Sequence, residues 1–181
     1  MGRVAKKRWW AGAAVVAAAA VAAGLVWFEP WALVVDESVH DALPSASAPA
    51  TPGPSAAVDA PPAGPVTLAQ GSFISHEHET KGTVKIVRLA DGSHTLRLEG
   101  LDTSNGPDLR VWLSDAPVKD GIAGWRVFDD GKYENLAKLK GNKGDQNYPL
   151  PADVDWSAYK SVSIWCDRFD VSFGAATLAR A

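Results

Sequence analysis

The chain has 181 residues, with 18 basic and 21 acidic side chains, eight tryptophans and one cysteine, a length that holds one domain of about 100 to 150 residues plus accessory segments. From Val66 onward 16 acids stand against 14 bases, so there is no basic stripe to neutralise phosphates, and nucleic acid is not expected as a partner. A lone cysteine cannot pair within the chain, which leaves packing alone to stabilise the fold.

Residues 1–8 carry Arg3, Lys6, Lys7 and Arg8, and residues 9–28, "WWAGAAVVAAAAVAAGLVWF", carry no charge. As a helix this run rises about 30 Å, the thickness of a bilayer hydrocarbon core. Trp9 and Trp10 at one end and Trp27, Phe28 and Trp31 at the other stand where aromatic belts sit. The pattern predicts one transmembrane helix acting as a signal anchor, with a cytoplasmic basic N-terminus and an extracytoplasmic remainder. Ala20-Val21-Ala22 offers the alternative of a cleaved signal peptide. Either way the folded part is expected outside the cytoplasm, in the cell envelope.

Residues 29–65 read as a disordered tether. Leu43 to Pro65, "LPSASAPATPGPSAAVDAPPAGP", is dominated by Ala, Pro, Ser and Gly and has too little large apolar surface to offset chain entropy. In a polyproline-like form at about 3.1 Å per residue, it holds the domain up to about 70 Å from the membrane.

From residue 66 to 181 the apolar period is two. Val84 and Ile86 flank Lys85, Leu96 and Leu98 flank Arg97, and Leu109, Val111 and Leu113 oppose Arg110 and Trp112. Asp91-Gly92 marks a hairpin turn. Loops are expected at 104–108, 128–133 and 140–151; 133–140, "YENLAKLK", fits a strand or a short helical turn. Short strands between regular turns predict an all-β fold, an antiparallel sandwich or barrel.

In "SVSIWCDRFDVSFG" (161–174), Val162, Ile164 and Cys166 have one parity and Phe169, Val171 and Phe173 the other. A two-residue hairpin at Asp167-Arg168 or a β-bulge must therefore switch the phase, sending Cys166 to the apolar side and Trp165 to the opposite face. Cys166 is a small apolar filler or a redox-active thiol or cofactor ligand, with the adjacent cation Arg168 tuning its pKa. His76 and His78 fall on one face of an extended segment and are candidate metal ligands. A His₂Cys copper centre drawing on Cys166 and His94 lacks the clustered Cys, His and Met ligand loop, since Met1 is the only methionine. Motifs for covalent haem, thioredoxin-like redox work, zinc hydrolysis, serine hydrolysis and phosphate cradling are all absent.

The blocks "GSFISHEHETKGTVKI" (71–86), "LDTSNGPDLRVWLS" (101–114), "KLKGNKGDQNYPLP" (138–151) and "SVSIWCDRFDVSFGAATL" (161–178) resemble, in that order, the DM-thirteen domain, also called the electron-transfer DM-thirteen domain. The resemblance implies a β-sandwich, often extracytoplasmic, that occurs in some animal proteins beside the haem- or sugar-binding DOMON domain. It also implies a redox role centred on the cysteine that matches Cys166. His78 and Gly82 match the family's H-x-x-x-G, and Asn105 to Asp108 its N-G-P-D turn. The expected function is a membrane-anchored electron-transfer module with Cys166 as redox thiol and Cys166 and His78 as cofactor-binding candidates; the residues name no cofactor. The expected partners are the membrane, through a single span, and an extracytoplasmic redox protein or a cell-envelope ligand. The alternative is a non-catalytic binding module that presents Trp112 and Trp165 to a sugar or protein, with Cys166 as core packing.

Overall fold

The computed structural model describes residues 2–30, 35–44 and 64–181. A helix, α1, spans Gly2–Phe28. Among the described residues no helix is long and apolar enough to cross a membrane; the transmembrane span was expected over residues 9–28 of α1. Nine of those residues are alanine, and each brings a single methyl group, worth about 0.8 kcal/mol of transfer free energy. The tether expected over 29–65 lies outside the described residues at 31–34 and 45–63.

Among the described residues ten strands follow: β1 Ser38–His40, β2 Val66–Ser75, β3 Lys81–Arg88, β4 His94–Asp102, β5 Leu109–Ser114, β6 Tyr133–Lys138, β7 Lys143–Pro149, β8 Ser161–Cys166, β9 Val171–Thr177 and β10 Ala179–Arg180. They form one sheet in the order β1-β7-β4-β3-β2-β9-β8-β5-β6, with β10 also on β2. All pairings are antiparallel except β1 with β7. The fold is therefore mostly β, as expected, but the strands build a curled open sheet, a half-barrel, and not the expected sandwich.

The reason lies in β2. Its first part, Val66 to Ser72, pairs with β3, while Phe73 to Ser75 pairs with β9. One long strand thus belongs to both halves, and a bulge between Thr67 and Ala69 bends it. Where β2 changes partner, a Cβ on Gly71 would stand 2.1 Å from the Thr177 carbonyl oxygen; only glycine admits that approach.

The concave face closes on one apolar core that includes Val84, Ile86, Leu96, Leu98, Val111, Leu113, Ile164 and Phe173. The alternating residues picked out from sequence on β3, β4 and β5 are all in it, and Tyr148 joins them from β7. Burial pushes the Tyr148 hydroxyl pKa up to about 12. The opposite face of β5, β8 and β9 is covered by residues 115–130. There Trp112, Trp165, Ala175, Ala116 and Phe128 form a second cluster, and the Ser114 hydroxyl donates to the Phe128 carbonyl at 3.0 Å.

Two segments read differently once folded. Residues 143–149, expected within a loop, are the strand β7; its polar side chains are satisfied internally, with Gln146 donating to the Gly141 carbonyl (2.6 Å) and accepting from the Tyr148 hydroxyl (2.6 Å). Residues 35–44, assigned to the tether, dock on β7 through polar contacts. Asn142 accepts from the Glu37 amide at 2.7 Å and donates to Asp36 at 2.8 Å, and Lys140 pairs with Asp41 at 2.6 Å.

Candidate functional site around Cys166

The four-residue turn 167–170 joins β8 to β9, and Asp170 takes the left-handed φ of +50° that lets the chain reverse. Cys166 then faces Val171, and a bulge follows between Ile164 and Trp165, so that Ile164 faces Gly174 and Phe173 is the extra residue. Turn and bulge together make the expected phase switch. Val162, Ile164, Cys166, Val171 and Phe173 all reach the core, Trp165 faces the other way, and Phe169 is left exposed at the tip.

Cys166 is 0% exposed. Burial pushes its thiol pKa up, and the nearby backbone of Phe169, Arg168 and Asp108 acts in the opposite direction. Arg168 thus acts on the sulfur through its backbone. Its guanidinium turns away, donating to the Trp27 carbonyl and standing 5.0 Å from the Trp27 ring centre. Phe28 stacks on Phe169, with ring centres 6.1 Å apart, so the end of α1 rests on the turn that follows Cys166.

The motif blocks converge on the same corner. The His78 ring lies over Phe173 with centres 3.9 Å apart, and Gly106 of the Asn105–Asp108 turn packs on the same ring, where a Cβ would come within 3.0 Å. The Asn105 side-chain oxygen accepts from the Gly106 amide at 2.8 Å. The Asp167 amide donates to the Asp108 carbonyl at 3.0 Å, and Arg110 bridges the Asp108 and Asp167 carboxylates at 3.1 and 3.6 Å. Gly82, with φ +121°, faces the Glu99–Leu101 backbone so closely that a Cβ would stand 2.9 Å from the Gly100 oxygen.

His76 and His78 part company beyond the end of β2. His76 is buried on the outer face, its Nε2 hydrogen donated to the Lys119 carbonyl (3.1 Å) and its Nδ1 accepting from the Ser172 hydroxyl (2.8 Å). Ser172 in turn accepts from Ser163 at 2.9 Å. Both ring nitrogens are occupied, and burial lowers the pKa of each histidine. His94 begins β4, four strands from β8. Among the described residues no group of three or more His, Cys, Asp or Glu is placed to hold a metal ion.

Trp112 and Trp165 are 4% and 1% exposed. They do lie on the face opposite Cys166, but the 115–130 segment covers them, which corrects their expected role as an exposed ligand platform. Sequence reasoning missed the Ser163–Ser172–His76 chain and the role of Phe173 as the floor under His78 and Gly106. Parity carried the first signal, since Ser163 shares the face of Trp165.

No curated protein and no solved structure gives a significant match. The family model described as Electron transfer DM13 matches residues 72–178. This range holds the converging turn, bulge and cysteine, and the chain belongs to the electron-transfer DM13 family.

Proposed function

We propose that this domain is an electron-transfer module in which Cys166 is a sealed one-electron centre serving a separate redox protein. The observation that carries the reading is a fully buried sulfur at the corner where the family's motif blocks meet. A thiol that is closed to solvent and held protonated lacks the accessible thiolate that disulfide exchange and alkylation require. Outer-sphere electron transfer has no such requirement.

In the proposed step the Cys166 thiol gives one electron to a high-potential one-electron acceptor and its S–H proton passes to bulk water. A one-electron donor reverses it. The four basic residues followed by an uncharged run support export, with the domain working outside the cytoplasm. Protease accessibility of the C-terminal domain in intact cells tests that location; a protected domain would contradict it.

The test of function is a pair of reagents on the native full chain. A substitution-inert metal complex of high potential is expected to consume the Cys166 thiol, while a bulky alkylating agent leaves it intact. If the complex leaves the thiol untouched, Cys166 is core packing and the proposal fails.

A further inference from the structure

Deepening that reading, and resting on it for the role of the sulfur, we infer that Tyr133, Trp112 and Trp165 form a path along which an electron vacancy passes between the protein surface and the residue adjoining Cys166. Tyr133 is 44% exposed on the edge strand β6. Its ring stacks on Trp112 with centres 4.2 Å apart and planes 7° from parallel, and Trp112 stacks on Trp165 at 4.8 Å and 21°. Trp165 is joined to Cys166 by one peptide bond.

Packing alone accounts for buried indoles, but not for what surrounds them. The Nε1 hydrogens of Trp112 and Trp165 are buried with no hydrogen-bond partner, at a cost that buried Trp usually avoids by finding an acceptor. An indole that loses an electron becomes far more acidic than neutral indole, and with no base on Nε1 it keeps its proton. The vacancy then moves as an electron alone, which is fast between stacked rings. An acceptor at the β6 edge takes one electron from the Tyr133–Trp112 pair, leaving Trp112 as the indole cation. Trp165 gives one electron to Trp112 and holds the vacancy beside Cys166, and no proton moves in either step.

The experiment attaches a ruthenium polypyridyl photo-oxidant to the full chain at the thiol introduced by Lys132→Cys, with Cys166→Ala in place so that only one site is labelled. After a flash and oxidative quenching, transient absorption follows the indole cation. The path predicts that Trp112→Phe, which keeps a stacked ring but removes the oxidisable one, slows vacancy arrival by an order of magnitude. Tyr133→Leu, at an exposed position, is expected to slow it too. Arrival unchanged by both substitutions overturns the path. With Cys166 present, its thiol supplies one electron to Trp165 and releases its proton, so the cation decays sooner. Arrival that depends on Trp112 but decay that ignores Cys166 supports the path and removes the sulfur's proposed role.

Discussion

Cys166 and His76 show how one sheet sets opposite chemistry on its two faces. The thiol faces the core, where burial holds it protonated. On unfolding it ionises at the ordinary thiol pKa of about 8.5, so above that pH the unfolded chain binds fewer protons than the folded one and stability falls. Urea unfolding of the full chain is expected to weaken as pH rises from about 8.5 toward 10, and Cys166→Ala to remove much of that slope. A slope unaffected by the substitution contradicts the thiol's raised pKa. His76 runs the other way. Its folded pKa is lowered by burial, despite the Lys119 carbonyl and Asp120 favouring the charged ring. Its contribution is present above about 6.5 and lost as pH falls below that value, as the unfolded ring takes a proton first. His78, lowered by burial against Glu77, adds to the same loss. His76→Gln is expected to flatten acid unfolding, and an unchanged acid limb would contradict the assignment.

At the scale of elements, alternation made most of the sheet legible. Val84, Ile86, Leu96, Leu98, Val111 and Leu113 face the core as their parity requires, and the phase break around Cys166 signalled a turn or bulge, of which the chain uses both. Strand β7 was hidden because its pairing surface is polar, with Gln146 and Asn147 where apolar residues would have marked it. Strand β1 was hidden because three residues are too few for a period; it is held by its pairing with β7 and, just before it, by the fully buried Asn142. Asn142→Ala strands the Glu37 amide and the Thr103 carbonyl, at an expected cost of about 1–3 kcal/mol in denaturant unfolding. Gly82→Ala forces a side chain into both a positive φ and the Gly100 oxygen, and is expected to destabilise by about 1–3 kcal/mol or more. Wild-type stability in either variant would refute the corresponding contact.

For the whole molecule, the sequence motifs identified the family and its cysteine, but not the architecture that positions it. Nothing in local periodicity reveals that β2 serves both halves, because Phe73 to Ser75 change partner without changing pattern. Nor does alternation distinguish an outer face open to solvent from one covered by residues 115–130, which is why Trp112 and Trp165 read as exposed. Closure on both faces leaves the Cys166 sulfur with no exposed surface. The most direct measurement is electron paramagnetic resonance of the full chain after one-electron oxidation by a complex too large to enter the sheet, with β-deuterated cysteine incorporated. The account predicts a radical whose hyperfine pattern changes on deuteration and which is lost in Cys166→Ala. A spectrum indifferent to both the label and the substitution would contradict it.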